Sequence, residues 1–316
     1  MRAREVGELK GASAGHTRAH GGDVRPARDR SKLVFLLPAA VMILVFSIFP
    51  LVFSLVLSFV NWDLSRLEGG IRFVGFGNFV QLLHDARFWN TARVTLIFVL
   101  GGVALQYVVG LGIALLLNQN VRFRRFFRVV FLMPMMLTPA TVGYLGRMLF
   151  NETQGPVNDL IRHLGGPIVP WLSNAVVALP TLILVDTWEW VPFMIIVLLA
   201  GLQSLPPEVY EAAAADGASA FQTFTRVTFP MILPTSVTVI LIRGLEAFKL
   251  FDIVAVMTGG GPGNASESVT WYAYLTALTF GRLGYASAIA YCLLILVTVF
   301  SLAFLRAMRR RIAAAQ

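Results

Sequence analysis

The chain has 316 residues, of which 57% are hydrophobic and only 14% are charged, and its mean hydropathy is +0.72. About 25% of the residues in a soluble domain are charged, so this composition indicates an all-α membrane protein. The 26 Lys and Arg residues outnumber the 17 Asp and Glu residues, but they lie mainly in the tails and in short connections. They therefore predict orientation in a lipid bilayer rather than nucleic-acid binding. With one cysteine, Cys292, and four histidines that lack ligand spacing, no disulfide or metal site is expected.

Residues 1–32 are a polar, basic tail that we predict to be disordered or loosely attached to the membrane surface and to lie in the cytoplasm. Six apolar runs follow, each long enough to cross a bilayer, which takes about 20 residues. The runs cover approximately residues 33–60, 91–117, 127–150, 176–202, 235–258 and 283–305. The first run is too long for a signal peptide, so it is expected to be retained. We thus predict one six-span domain over residues 33–306 and a basic cytoplasmic C-terminus at 307–316.

The distribution of basic residues predicts the orientation of these spans. The two tails and the connections 118–128 and 203–234 contain 17 of the 26 Lys and Arg residues, whereas the other three connections contain five. The positive-inside rule therefore places both termini in the cytoplasm. The long 203–234 connection would then face the cytoplasm, and its length suggests a docking site for another protein.

The fourth span contains two carboxylates and two tryptophans within five residues: Asp186, Trp188, Glu189 and Trp190. A charged side chain in a bilayer costs about 2.5–3.5 kcal/mol at a helix centre, so it needs a partner or an aqueous path. One interpretation is anchoring at the membrane interface, which tryptophans favour. The other is contact with solute in a pore. Glycoside hydrolysis by the carboxylate pair is not favoured, because nothing in the sequence defines a substrate pocket.

Residues 203–234, which we call the elbow, predict a helix, a turn and a second helix before the fifth span. Pro206 and Pro207, the alanines at 212–215 and Gly217 suit the start, the interior and the left-handed cap of a short helix. The alanines would leave a shallow surface that a partner can approach closely, and Glu211 offers a charged anchor. An ordinary amphipathic loop is the alternative interpretation.

The fifth span carries four charges of alternating sign at intervals of three residues: Arg243, Glu246, Lys249 and Asp252. This spacing predicts ion pairs along the helix, because unpaired charges would together cost about 10 kcal/mol. In the alternative interpretation, Lys249 or Asp252 contacts solute in a central path. Sugar hydroxyls need donors and acceptors, and Phe248 and Phe251 could cover the apolar C–H face of a sugar.

A glycine-rich turn follows the fifth span: Gly259, Gly260, Gly261 and Pro262. It is not a phosphate-binding loop, because no Gly-Lys-Ser/Thr sequence follows it. The predicted orientation places it outside the cell, where such a turn permits close approach of an external protein. A simple re-entrant or surface loop is the alternative.

Three groups of residues resemble the permease subunits of ABC importers of the carbohydrate-uptake type. In the elbow, Glu211-Ala212-Ala213, Asp216-Gly217-Ala218 and the later Pro230 and Pro234 resemble the EAA loop of these permeases. The stretches that resemble the carbohydrate branch are Phe73-Val74-Gly75, Asn78-Phe79, Arg87-Phe88-Trp89-Asn90, and Phe251-Asp252 through Thr258-Gly259-Gly260-Gly261-Pro262. The likeness covers about residues 33–306.

This resemblance implies the type I ABC importer permease fold and a set of partners. The residues that would couple to a cytoplasmic ATPase are Glu211, Ala212, Ala213, Asp216, Gly217 and Ala218. The implied partners are a second permease chain, two copies of an ATPase that binds ATP and magnesium, and an extracytoplasmic solute-binding protein, all at the inner membrane of a prokaryote. The solute would be a mono- or oligosaccharide, a polyol or glycerol 3-phosphate.

The chain itself has no nucleotide-binding motif, so it is expected to bind no cofactor and not to be an enzyme. The alternative function is a secondary transporter driven by an ion gradient, in which Asp186, Glu189 or Asp252 would be the ion sites. The sequence has no evident inverted repeats, which counts against this alternative.

Overall fold

A computed structural model describes residues 30–64, 70–119 and 124–315 of the chain. The predictions for residues 1–29 and for Arg122 lie outside the described residues. Within the described part, residues up to Leu51 and residues from Val52 onward are two compact units.

The described chain begins with three consecutive helical segments. They are α1 (Arg30–Ile43), a π-helical segment (Leu44–Ile48) and α2 (Phe49–Ser58). A two-stranded antiparallel sheet follows, formed by β1 (Val60–Asn61) and β2 (Arg72–Phe73), with Val60 opposite Phe73. The remaining α-helices in chain order are α3 (Gly77–Leu83), α4 (Ala86–Asn118), α5 (Arg124–Leu132), α6 (Pro139–Leu149), α7 (Pro156–His163), α8 (Ala178–Gln203), α9 (Pro207–Ala215), α10 (Ala220–Thr223), α11 (Phe229–Ala247), α12 (Asp252–Met257), α13 (Val269–Tyr274) and α14 (Leu283–Ala315). Shorter helical segments are the 3-10 turn Pro134–Met136 and the π-helical segments Phe224–Thr228 and Leu275–Thr279.

Five stretches of helix in the described residues are long and apolar enough to cross a membrane. They are Leu36–Ser58, Ala86–Asn118, Ala178–Gln203, Ala220–Ala247 and Leu283–Met308. These stretches correspond to the first, second, fourth, fifth and sixth predicted spans. The predicted all-α class is confirmed, and the chain is a multi-pass membrane protein.

The third predicted span, residues 127–150, is not one continuous helix. Helix α5 ends at Leu132, the 3-10 turn follows, and α6 begins at Pro139. The prolines at 134 and 139 cause the break, because proline lacks a backbone N–H and disfavours helical conformation in the residue before it. Thr138 then caps α6, its Oγ1 accepting a hydrogen bond from the Thr141 amide at 3.4 Å.

The fifth predicted span, residues 235–258, also differs from the structure. Its helix begins earlier and ends at Ala247, and a short non-helical segment separates it from α12. Here the carbonyl of Leu250 accepts hydrogen bonds from two side chains far along the chain, Ser268 Oγ at 2.5 Å and Thr270 Oγ1. These bonds satisfy a backbone group that a continuous helix would otherwise have paired.

The core of the second unit forms where α4, α6, α8, α11 and α12 pack together. Two glycines allow the helix backbones to approach closely. A Cβ atom on Gly110 of α4 would lie 2.4 Å from Cβ of Met194 on α8, and one on Gly201 of α8 would lie 2.8 Å from Cγ2 of Thr235 on α11. Any larger residue at these positions would force the helices apart.

Candidate functional site

A buried charge cluster joins three of the long helices. The guanidinium of Arg243 on α11 donates to the Asp186 carboxylate on α8 at 2.5 Å and to Gln106 Oε1 on α4 at 2.8 Å. Gln106 also donates to the same Asp186 oxygen at 2.6 Å. All three side chains are at most 6% exposed. Since a buried charge needs both a counter-ion and hydrogen bonds, this cluster fixes the register of α4, α8 and α11.

The cluster changes the predicted pattern of ion pairs along the fifth span. Arg243 pairs with Asp186 of another helix rather than with Glu246. Glu246 does pair with Lys249, at 2.5 Å between Oε2 and Nζ, as the spacing predicts. Asp252 lies beyond the end of α11, at the start of α12. The prediction of ion pairs along one helix is therefore wrong for Arg243 and Asp252.

A polar cavity of about 290 Å³ lies beside the buried charge cluster. Its charged lining residues are Asp186, Glu189, Arg243, Glu246, Lys249 and Asp252. Two aromatic rings, Trp190 and Phe251, and several apolar side chains complete the wall. The guanidinium carbon of Arg243 lies 4.5 Å from the centre of the Trp190 ring, a cation–π contact that orients the indole. The cavity thus offers charged, hydrogen-bonding and aromatic surface together.

Five of the seven residues predicted for the solute path line the polar cavity: Asp186, Glu189, Lys249, Phe251 and Asp252. The structure does not bring the other two there. Trp188 lines a separate apolar cavity of about 700 Å³ between α4, α5, α6 and α8, because successive helical residues point about 100° apart. Phe248 is buried and packs edge-on against Phe300, with ring centroids 5.2 Å apart.

Glu189 differs from the other buried carboxylate in this cavity. It is only 3% exposed, yet its Oε2 atom has no hydrogen-bond partner among the described residues. Asp186 is equally buried but is held by Arg243 and Gln106. An unsatisfied buried carboxylate oxygen is costly, so it marks a position where a ligand or water supplies the missing donor.

The elbow begins with a short helix and a well-defined cap. Helix α9 ends with Gly217 in the left-handed conformation, at φ +71°. The amide of Gly217 donates to the Ala214 carbonyl and the amide of Ala218 donates to the Ala213 carbonyl, both at 3.0 Å. These two bonds form a Schellman cap, as the predicted left-handed glycine requires.

The second arm of the elbow starts with a capping box. Ser219 Oγ accepts from the Gln222 amide at 3.3 Å, and the Gln222 side chain accepts from the Ser219 amide at 2.9 Å. Thr228 Oγ1 donates to the Tyr210 hydroxyl at 3.4 Å and so links the two arms. The elbow is therefore stabilised mainly by bonds between residues that are close in sequence.

The coupling residues predicted in the elbow are mostly at its surface. Glu211, Ala212, Asp216 and Gly217 are exposed, Ala218 is partly exposed, and Ala213 is buried. Among the described residues Glu211 has no ion pair or hydrogen bond through its side chain. Phe221, on the second arm, is 75% exposed. Small side chains, exposed carboxylates and one exposed aromatic ring are features of a surface that contacts a partner.

Residues 258–268, which we call the glycine loop, lie beyond the opposite end of α11. The Trp271 indole donates to the Gly259 carbonyl at 3.0 Å, and Ser266 Oγ donates to the Gly261 carbonyl at 2.5 Å. Gly260 is buried, whereas Gly259 is exposed and Gly261 and Pro262 are partly exposed. Part of the predicted docking turn is therefore accessible, and part of it is packed inside.

The glycine loop is tied to the start of α4. Glu267 is buried and forms a bidentate ion pair with Arg87, at 2.7 and 2.9 Å. Asn90 donates to the carbonyl of Asn264 at 2.7 Å. These bonds join residues about 175–180 positions apart in the sequence.

A second polar cluster supports the same end of α4. Asp85 caps the helix by accepting from the Arg87 and Phe88 amides, and its Oδ2 accepts from the hydroxyls of Tyr272 and Tyr285, each at 2.6 Å. Burial opposes ionisation of Asp85, but these hydrogen bonds outweigh it and lower the pKa of the carboxyl below 3.8. Burial and the bond to Asp85 raise the pKa of Tyr272 to about 12.

Sequence reasoning missed some of these residues. Gln106 is a lone amide within an apolar run, and that isolation was a usable signal, since a polar group at membrane depth needs a partner. Asp85, Glu267 and Tyr272 gave no comparable signal, because their contacts are set by the folding of distant connections.

The chain matches the family model described as "Binding-protein-dependent transport system inner membrane component" over residues 106–314. It is 37% identical over 277 residues to the "Probable ABC transporter permease protein y4oQ" of Sinorhizobium fredii, covering 88% of this chain and 89% of that protein. It is 33% identical over 278 residues to the "Trehalose/maltose transport system permease protein MalF" of Thermococcus litoralis, covering 88% and 93%.

A similar fold is found among solved structures. A chain of a bacterial alginate ABC transporter, solved in complex with an alginate pentasaccharide-bound periplasmic protein, superposes with a TM-score of 0.79. The match covers 90% of this chain and 96% of the other, at 23% sequence identity. At that identity the likeness bears on the fold alone.

Proposed function

The chain belongs to the family of binding-protein-dependent transport system inner membrane components, the permeases of ABC importers, and from this premise we propose that it passes a sugar or sugar-like solute. The trehalose and maltose named for the Thermococcus relative support this solute class. The polar cavity supports it chemically, because it combines hydrogen-bonding groups with the aromatic rings of Trp190 and Phe251. Mono- and oligosaccharides, polyols and glycerol 3-phosphate are the solutes we consider.

The observation that carries the coupling role is the exposed surface of α9. Glu211 stands on that surface with no partner in the described chain, between small alanines that permit close approach. We assign this face to the cleft of a cytoplasmic ATPase, with Glu211 opposite a basic group. ATP and magnesium would bind to that ATPase, and the energy of hydrolysis would reach this chain as movement of the elbow.

The elbow is well placed to pass movement into the membrane. The helical stretch Ala220–Ala247 is unbroken over 28 residues, a length of about 40 Å. Movement of its elbow end therefore displaces Arg243 near the other end, and with it the helices that hold Gln106 and Asp186. In this proposal the displacement opens and closes the polar cavity to alternate sides of the membrane.

The assembly that we propose has four kinds of component. This chain pairs with a second permease chain, and two ATPase copies dock on the elbows at the cytoplasmic face. A solute-binding protein docks near Gly259 and Pro262 at the opposite face and releases solute into the cavity. Both termini of this chain then lie in the cytoplasm of a prokaryotic cell.

The test is ATP-driven uptake by proteoliposomes that contain the complete transporter and its binding protein. Glu211→Lys reverses the charge of the proposed anchor and should abolish uptake and weaken retention of the ATPase on affinity-purified transporter. Glu208→Lys is the matched control, because Glu208 is an exposed carboxylate on the first turn of the same helix. It should have a much smaller effect on both measurements.

Three outcomes would contradict the proposal. Normal ATPase retention and uptake in Glu211→Lys would remove the anchor role. An equal loss in both variants would show that the helix, and not Glu211, makes the essential contact. Uptake by this chain without an ATPase, driven by an ion gradient alone, would favour the secondary-transporter alternative.

A further inference from the structure

The charges around the polar cavity do not balance. Four carboxylates and two basic groups line it. Arg243 is neutralised by Asp186 at 2.5 Å, and Lys249 is neutralised by Glu246 at 2.5 Å. Glu189 and Asp252 remain, and neither has an ion pair or a side-chain hydrogen bond among the described residues. Among the described residues, the cavity therefore presents two carboxyl groups without a counter-ion and no basic group without one.

Glu189 is the stronger of these two features, because burial makes its lack of a partner costly. Its side chain lies within the wall at 3% exposure, and its Oε2 atom is unsatisfied. No neighbouring donor in the described part of the chain reaches this atom: the hydrogen bonds of Arg243 go to Asp186 and Gln106, and its guanidinium faces the Trp190 ring. A hydroxyl or ammonium group of a solute in the cavity would supply a donor.

We infer that the polar cavity selects solutes by charge: Glu189 and Asp252 accept hydrogen bonds from hydroxyl or ammonium groups and disfavour solutes that carry carboxylate, phosphate or sulfonate. The inference rests on the proposed function, and it narrows the solute to a neutral or amino sugar. It excludes glycerol 3-phosphate from the class considered above. Repulsion between like charges is strong in a cavity walled by protein, where the effective dielectric constant is well below that of water.

The size and the aromatic walls of the cavity agree with this solute class. A volume of about 290 Å³ is near the lower limit of small-molecule pockets, roughly 300–1,000 Å³. Phe251 is held in place by Trp271 and Tyr274, with ring centroids 5.5 and 5.2 Å away. A preorganised ring can cover the C–H face of a sugar while the carboxylates accept from its polar groups.

The experiment compares three sugars that share one ring and differ in one group: glucosamine, glucose and glucuronate. Binding to the transporter complex in lipid nanodiscs, without the binding protein, is titrated by saturation-transfer NMR at neutral pH. Omitting the binding protein removes its own selectivity from the measurement. We expect glucosamine to bind about tenfold or more tightly than glucuronate, with glucose between them.

The variants Glu189→Gln and Asp252→Asn remove one carboxyl group each while preserving side-chain size. Each should reduce the ratio of glucosamine to glucuronate affinity several-fold, and the double variant should bring it close to one. Asp159→Asn is the matched control, because Asp159 is an exposed carboxylate on α7 outside the cavity. That variant should leave the ratio unchanged.

Three results would overturn the inference. They are equal binding of glucosamine and glucuronate to the unmodified complex, an unchanged ratio in both cavity variants, and no saturable binding of any of the three sugars. ATP-driven uptake by the same preparation with its binding protein separates this inference from the proposed function. Sugar uptake with no charge preference would reject only the inference, whereas absence of sugar uptake would reject the proposed function itself.

Discussion

The elbow includes the start of α11, the glycine loop lies beyond the other end of that helix, and the two segments are stabilised in opposite ways. The elbow is stabilised by bonds between near neighbours, such as the Schellman cap at Gly217 and the capping box at Ser219. The glycine loop is stabilised by bonds to the start of α4, a distant part of the chain. The polar bonds of the elbow can stay intact when that segment shifts, whereas the glycine loop cannot leave its place without breaking the ion pair of the buried Glu267.

Because the two segments are bonded differently, substitutions in them should have different effects on stability. Damage to the elbow should loosen only the elbow, and damage to the glycine loop should lower the stability of the whole packed domain. Two measurements distinguish these cases: hydrogen exchange of residues 207–223, and the thermal unfolding midpoint of the purified chain in detergent.

The largest effect is expected from Arg87→Ala. This change leaves the Glu267 carboxylate buried without its counter-ion, which should cost about 3 kcal/mol of unfolding free energy. The thermal midpoint should fall, while exchange in residues 207–223 stays the same.

The matched control for that prediction is Arg162→Ala. Arg162 also pairs with a carboxylate, Asp159 at 3.0 Å, but both side chains are 55% exposed. Its loss should cost less than about 1 kcal/mol. If Arg87→Ala is no more harmful than Arg162→Ala, the glycine loop is not held by its ion pair.

A smaller and local effect is expected from Gly217→Val. No atom lies within 4 Å of a Cβ added at Gly217, so the cost comes only from the backbone at φ +71°, about 1–2 kcal/mol. Hydrogen exchange should rise in α9 with little change in the thermal midpoint. Gly217→Asn is the control, because asparagine adopts the left-handed conformation more readily than valine. In that variant the amides of α9 should exchange nearly as slowly as in the unmodified chain.

Ser219→Ala should weaken the second arm of the elbow by about 1 kcal/mol, since it removes one half of the capping box. Exchange should rise at the amides that begin α10. Thr225→Ala serves as the comparison, because the Thr225 hydroxyl bonds only to carbonyls of its own helical turn. Equal exchange in both variants would mean that the capping box does not hold the arm.

The smallest effect depends on pH. The pKa of Asp85 is lower in the folded chain than its ordinary value of 3.8, so its ionised form stabilises the fold above about pH 4, and that stability is lost as pH falls through the folded pKa. Asp85→Asn retains a helix-capping side chain but not the charge. The unmodified chain should be more stable at neutral pH, and the difference should narrow on acidification below about pH 4. A difference that is independent of pH would contradict this role.

The sequence predicted the parts of this molecule that depend on local chemistry. The positions of the first, second, fourth and sixth spans follow from apolar length, and the elbow follows from Pro206 and Pro207, the alanines and Gly217. The sequence could not predict that α11 ends at Ala247, because Ser268 and Thr270 bond to Leu250 from the far side of the glycine loop. For the same reason, it could not show that Asp186 and not Glu246 would neutralise Arg243. Contacts of this kind depend on how helices meet, and spacing along one helix does not contain that information.

The two glycine contacts in the core limit the kinds of motion open to the bundle. Gly110 lies against Met194 and Gly201 lies against Thr235, so the backbones of α4 and α8, and those of α8 and α11, approach closely at these two points. Close packing at these two points opposes shear between the helices, so we expect a push on the elbow to turn all three together about a hinge.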